Sequence, residues 1–257
     1  MMKATECTVA NATVRDRMTS PAITVRRDAR REDVERLLET RRISAVAVVD
    51  EDGRVAGVVS TTDLLRAPEV DRVEAMMAAP ALIARPDERL DEAAWRLVAA
   101  RVHRLIVVDG DRPVGVLSAR DILGEVMYRR IPTPIRAIMS TPVQTVAIGD
   151  SVDEAALRLT SANVHGLVVV DGTAPVGVFT QAEALAARKL TVPRSVVVEE
   201  VMSYETICLD AATSVHRAAA YAMAMNVRRF LVCEDKHLVG VLSCVDLVGV
   251  LARGASQ

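Results

Sequence analysis

The chain has 257 residues, with 32 Lys and Arg against 34 Asp and Glu and a formal net charge of −2. It is 51% apolar but only 2% aromatic, so it lacks both the basic groove and the stacking platforms that hold single-stranded nucleic acid. No stretch approaches the roughly 18 uninterrupted apolar residues of a membrane span.

Along the chain, residues 1–14 carry no apolar signal core, which sets the expectation of a cytoplasmic protein. Met18-Thr-Ser-Pro21 then opens a block, with a strand-like stretch at 23–25. The run Arg26-Arg27-Asp28-Ala29-Arg30-Arg31 is interleaved with acid and reads as a solvated surface. Apolar runs at 45–49 and 55–59 flank the polar turn Asp50-Glu-Asp-Gly53, the signature of a buried hairpin. The block ends in Gly57-Val-Val-Ser60-Thr-Thr-Asp63, where strand hands over to helix.

The block is written four times. The endings are Gly57…Ser60…Asp63, Gly115…Ser118…Asp121, Gly177…Thr180…Glu183 and Gly240…Ser243…Asp246, at steps of 58, 62 and 63 residues. The openings are Met18…Pro21, Met77…Pro80 and Met139…Pro142, while Met202-Ser-Tyr-Glu205 loses the proline. Copy two shows the intervening helix well, with Leu90, Ala93, Ala94, Leu97 and Val98 on one stripe and Asp91, Glu92 and Arg96 off it. Each copy therefore reads strand, helix, strand, strand, helix, a βαββα unit in an α/β (α+β) chain. About 60 residues are too few for a robust core, so copies should pair. The predicted copies are residues 14–67, 73–127, 135–189 and 198–253, in modules 14–127 and 135–253. Tyr128-Arg-Arg-Ile-Pro-Thr-Pro134 reads as the linker between modules, and a smaller break falls at 189–194.

Ser60-Thr-Thr-Asp63 has the form of a capping box, and capping alone would explain a hydroxyl residue and an acid in every copy. The sharper reading adds a ligand, because a carboxylate at a helix start accepts hydrogen bonds from a ribose diol while cationic neighbours hold phosphate. The Met-x-x-Pro opening, the run Ala45-Val-Ala-Val-Val-Asp50 and the Gly-x-x-[Ser/Thr]-x-x-Asp ending resemble the CBS domain, over about residues 14–251. The four-copy layout is similar to that of the gamma subunit of AMP-activated protein kinase.

The resemblance implies units paired into Bateman modules, whose clefts in that family often bind AMP, ADP, ATP or S-adenosylmethionine. It implies ribose contacts from Ser60 with Asp63, Ser118 with Asp121, and Ser243 with Asp246, which match the family's pattern. Thr180 and Glu183 read as a cap only, since the longer glutamate reaches into the space of a ribose. By the same resemblance, phosphate falls to Arg120, His103, Arg104, Arg228 and Arg229, and Thr24 and Thr145 become minor candidates on the base side. The plain reading of His103 and His165 is that they cover the sheet edge, and that of the Thr24, Ile83, Thr145 and Cys208 column is a buried strand.

Cys7, Cys208, Cys233 and Cys244 follow no repeat rule and read as small buried hydrophobes or a free tail thiol. No metal site, catalytic group or cofactor is expected. The four histidines have no nucleophile partner, and neither a Walker loop nor a dinucleotide fingerprint is present. The leading expectation is a stand-alone sensor of adenine nucleotides. It would act as a homodimer on a protein partner in trans, without membrane or nucleic acid. The rivals are a ligand-free oligomerisation scaffold and a sensor of another adenosyl ligand.

Overall fold

The computed structural model describes residues 12–67, 69–188, 196–204, 206–235 and 237–252. Within these, every copy is a short 3-10 turn followed by strand, helix, strand, strand and helix. Copy one has the turn Val14–Asp16, β1 (Thr24–Arg26), α1 (Arg31–Arg41), β2 (Ala45–Val49), β3 (Val55–Ser60) and α2 (Thr61–Arg66). Copy two has Val73–Ala75, β4 (Ile83–Ala84), α3 (Leu90–Ala99), β5 (Arg104–Asp109), β6 (Arg112–Ser118) and α4 (Ala119–Tyr128). Copy three has Ile135–Ala137, β7 (Thr145–Ala147), α5 (Val152–Ser161), β8 (Gly166–Asp171), β9 (Ala174–Thr180) and α6 (Gln181–Ala187). Copy four has Val198–Glu200, β10 (Cys208–Asp210), α7 (Val215–Ala224), β11 (Arg229–Glu234), β12 (His237–Ser243) and α8 (Cys244–Ala252). The fold class is mixed α/β, with one three-stranded sheet per copy. The first strand pairs parallel with the second, and the second antiparallel with the third.

The copies are not self-contained, because each lends its opening segment to a neighbour. The turn of copy one docks on copy two through Val14 N–H to Glu88 O (2.9 Å), and Val73 of copy two returns the contact to Ala29 O (3.1 Å). Copies three and four exchange in the same way, through Ile135 to Thr213 O (2.8 Å) and Val198 to Asp150 O (2.9 Å). Val14, Val73, Ile135 and Val198 are each 0% exposed and lie in the partner's core. Burying one such side chain contributes about 1.5–3 kcal/mol.

Past the turn, the same segment adds to the free edge of the partner's third strand, with bridges Thr19–Val116, Ala78–Val58, Ser140–Val241 and Ser203–Val178. Here the repeated methionine meets the repeated glycine. A Cβ on Gly115 would lie 2.8 Å from Met18 Sδ and 2.9 Å from Thr19 O, and one on Gly57 would lie 2.8 Å from Ala78 O. Met139 covers Gly240, and Met202 covers Gly177. The glycine is therefore required by close backbone approach.

Modules meet through their helices, and unequally. Copies two and four share one continuous apolar core that includes Leu97, Ile122, Leu123, Val215, Ala219, Leu247 and Val248. Gly124 and Gly249, at the same repeat position, face Met223 of α7 and Val98 of α3. Copies one and three keep separate cores, joined by Leu65 and Leu185 and by polar contacts. One of these runs from Arg66 Nη2 to Asn163 Oδ1 at 2.6 Å. Residues 129–134 run along the start of α7, held by Val215 N–H to Thr133 O (2.9 Å) and His216 Nδ1 to Ile131 O (2.8 Å). Among the described residues no helix is long and apolar enough to cross a membrane.

Several expectations are corrected. Cys208 and Cys233 are not small buried hydrophobes; they form a disulfide with Cα atoms 6.2 Å apart, because parallel pairing of β10 with β11 brings them together. Cys244 is free and buried. Cys7 and the break at 189–194 lie outside the described residues. The Thr24, Ile83, Thr145 and Cys208 column is not buried. Thr24, Ile83 and Cys208 are exposed and Thr145 is half-buried, since the next residue of each strand turns inward instead. Within the basic run, Arg31 is not solvated. Its guanidinium donates to Ala67 O and Leu64 O (both 2.6 Å) and pairs with Glu35 (2.7 Å), capping α2.

Gly115→Ala should lower stability by about 1–3 kcal/mol, read from the urea midpoint, because Thr19 O cannot yield without breaking its bridge. Gly149→Ala, with nothing within 4 Å, should leave the midpoint nearly unchanged. Cys208→Ser should cost roughly 2–4 kcal/mol in a thermal melt without reductant, and dithiothreitol should reproduce that loss in the parent chain but add nothing in the variant.

Candidate functional site

The last strand of every copy ends in a hydroxyl residue that begins a helix, and the acid three residues later folds back onto it. Asp63 Oδ2 accepts from Ser60 N–H (2.8 Å) and Oγ–H (2.6 Å). Asp121 Oδ2 accepts from Ser118 (2.7 Å for both), and Asp246 Oδ2 from Ser243 (2.7 and 2.6 Å). Glu183 Oε2 does the same with Thr180 N–H (2.8 Å) and with its hydroxyl. The extra methylene thus changes nothing in the cap. One oxygen of each acid is committed to the fold, as capping requires. The other oxygen distinguishes the copies. Asp246 Oδ1 accepts from Ser140 Oγ at 3.4 Å, whereas no hydrogen bond among the described residues reaches Oδ1 of Asp63 or Asp121. Burial pushes the Asp246 carboxyl up, against the pull of its Ser243 bonds.

The four helix starts converge. Thr62 Oγ1 of α2 donates to Gln181 Oε1 of α6 at 2.8 Å, and Thr61 reaches the same oxygen at 3.3 Å. On the other diagonal, Arg120 at the start of α4 acts electrostatically on Cys244 at the start of α8. The residues leading into the second strands, Ser44, His103, His165 and Arg228, close the ring with the first residues of those strands. Arg104 donates to Ser44 Oγ, and Arg229 Nη2 donates to His165 O at 3.2 Å. Arg229 also fills the space beside Gly166, where a Cβ would lie 1.5 Å from its Nη1.

His103 and His165 directly precede β5 and β8. Although they belong to different modules, their rings meet edge to face with centroids 4.2 Å apart. His165 Nδ1 lies 3.3 Å from Gln181 Oε1. The sequence pattern aligned these columns but carried no sign that they meet. Gln181, which links copies one and three, was missed because only its repeat position, shared with buried Ala119 and Cys244, marks it out.

Arginines crowd the two histidines at this centre. Burial, then His165, then Arg229, Arg104 and Arg228 push the His103 imidazole down to about 3. Burial and then Arg228 bring Arg104 down to about 10, with Asp121 opposing. Burial lowers Arg229 also, with Glu183 opposing. The Cys244 thiol is pushed up to about 11 by burial. Among the described residues no carboxylate lies within 4.0 Å of the guanidinium of Arg104, Arg120, Arg228 or Arg229. Nor do three or more potential metal ligands gather among the described residues. Thr24 and Thr145 stand on the first strands, β1 and β7. Two surface hollows, of about 460 and 590 Å³, lie outside this ring of contacts, one beside Arg26 and Glu74 and the other beside Ile83 and Arg96.

The fold is similar to that of protein MJ1225 from Methanocaldococcus jannaschii, proposed to be an archaeal homologue of g-AMPK. The match has a TM-score of 0.86 and 14% identity, and covers 94% of this chain and 100% of that one. A 33.4 kDa protein of the ribosomal RNA operon of Thermofilum pendens is 31% identical over 185 residues, 64% of this chain and 60% of its own length. Protein MJ1404 of Methanocaldococcus jannaschii is 26% identical over 262 residues, 94% of this chain and 62% of its own. The chain thus spans about three fifths of these curated relatives. A model of the CBS domain matches residues 14–69, 73–128, 135–189 and 198–253. Four matches in succession leave little of the sequence outside them, and the chain belongs to the CBS domain family.

Proposed function

We propose that the protein is a stand-alone regulatory sensor of adenine nucleotides that acts on a partner in trans. The carrying observation is the pairing of two features at one centre: an acceptor oxygen left over on Asp63 and Asp121, and guanidiniums of Arg104, Arg120, Arg228 and Arg229 that, among the described residues, have no carboxylate within 4.0 Å. The first suits a ribose diol and the second a phosphate chain. The starts of α4 and α8 add their positive ends. A sulfonium ligand such as S-adenosylmethionine brings its own cation into this ring, so the field favours AMP, ADP or ATP.

Copy two is the best equipped, since Arg120 and Asp121 lie side by side and Arg104 feels the Asp121 charge. In copy four, a ribose would share Asp246 Oδ1 with Ser140. Copy three remains a cap on this reading. A ligand shifts the arrangement of the copies only by its differential affinity, and the polar seam between copies one and three is the place to accommodate such a shift. A scaffold role is the second reading, favoured by the cap bonds that every acid already accepts.

A thermal-shift panel separates the two. Near 100 times Kd a bound nucleotide should stabilise by about 2.7 kcal/mol, while adenosine and S-adenosylmethionine should do less; a flat response to every ligand refutes the sensor. Asp121→Asn should weaken nucleotide binding roughly 10- to 150-fold, measured by calorimetry beside the unliganded melt, because the variant also loses part of its cap. Arg104→Gln should weaken AMP but leave adenosine unchanged, whereas equal loss of both would place Arg104 outside the phosphate site.

A further inference from the structure

The two central imidazoles stand where two positive charges cannot be held together. Their rings touch edge to face with centroids 4.2 Å apart, and both side chains are half-buried. His103 faces His165, Arg229, Arg104 and Arg228. His165 faces Gln181, Arg229, Arg104 and Arg66. The acids nearby answer to other groups: Asp121 to Arg104, Glu183 to Arg229, and Asp246 to Ser243 and Ser140. Gln181 Oε1 accepts from Thr62, so His165 Nδ1 carries the hydrogen toward it and Nε2 is left as the atom that takes an added proton.

We propose that His103 and His165 take up a proton when the phosphates of a nucleotide enter the centre, so that binding is coupled to pH and strengthens as pH falls. This rests on the nucleotide reading above and adds its regulation. The cause is electrostatic. In the free protein, burial and like charge hold the imidazoles neutral, with His103 brought down to about 3. A phosphate chain among the arginines adds negative charge beside the imidazoles, and the cost of an imidazolium falls.

Linkage gives the direction. The free-state value lies below the bound-state value, so between them binding consumes protons and each unit fall in pH raises affinity up to tenfold per proton taken up. Above the bound-state value the dependence vanishes. The reciprocal also holds, since a fall in pH favours the occupied form.

Two measurements on the full chain test this. With only four histidines, the Cε1–H resonances can be followed by NMR from pH 5 to 8 and assigned with His103→Gln and His165→Gln. Two resonances should stay flat in the free protein and titrate once ADP is added; central histidines that titrate near 6.5 without ligand overturn the proposal. Calorimetry of ADP at pH 6.5 in buffers of different ionisation enthalpy should show proton uptake by the parent chain. The His103→Gln, His165→Gln double variant should keep only the proton release of the ligand's own phosphate, which the arginines hold deprotonated. ADP binding with an equal proton change in both chains sinks this inference and leaves the sensor standing, whereas no binding at any pH removes the sensor and this coupling with it. If the double variant does not fold, uptake by the parent beyond the phosphate's own titration decides the matter.

Discussion

The reciprocal exchange of opening segments is the constraint on which the molecule rests. A single βαββα unit leaves its core short of one apolar side chain and the edge of its third strand unpaired. Its neighbour supplies both: Val14, Val73, Ile135 or Val198 for the core, and a bridged backbone with a methionine for the edge. The exchange explains two repeated residues at once. The methionine covers the glycine, and the glycine exists because a carbonyl and a sulfur occupy the space of its Cβ. It also fixes the unit of folding as the pair of copies, since neither has a complete core alone.

The pairing aims four helix starts at one point, and there the charges accumulate. Hydroxyl residues and acids cap the helices within their own copies, so the cap bonds need no neighbour. The arginines and histidines, by contrast, find their surroundings across copies: Arg104 at Ser44, Arg229 against Gly166, His103 against His165. Burial depresses their affinity for protons, and an anion relieves that penalty. On the proposed reading, stability and binding would draw on the same residues with opposite demands.

The two halves are joined differently. Copies two and four merge into one core, with Gly124 and Gly249 facing Met223 and Val98 across it. The equivalent residues in α2 and α6 are Arg66 and Ala186, and Arg66 makes a polar contact instead. One side is an apolar merger, and the other combines two leucines with hydrogen bonds.

The repeat, the hairpins, the helix caps and the pairing of copies were legible from residues alone, because each depends on periodicity or on bonds within a few positions. Ser60 and Asp63 had to meet, being one helical turn apart. Distant contacts left no such mark. The Cys208–Cys233 bridge comes from parallel strand register, and the outward turn of Thr24 and Cys208 from which strand residue enters the core. The meeting of His103 with His165 was not implied by their equivalent repeat positions. It required the packing of one module's helices on the other's. Local chemistry is written in spacing; which side chains share a buried centre is decided only when the chain closes on itself.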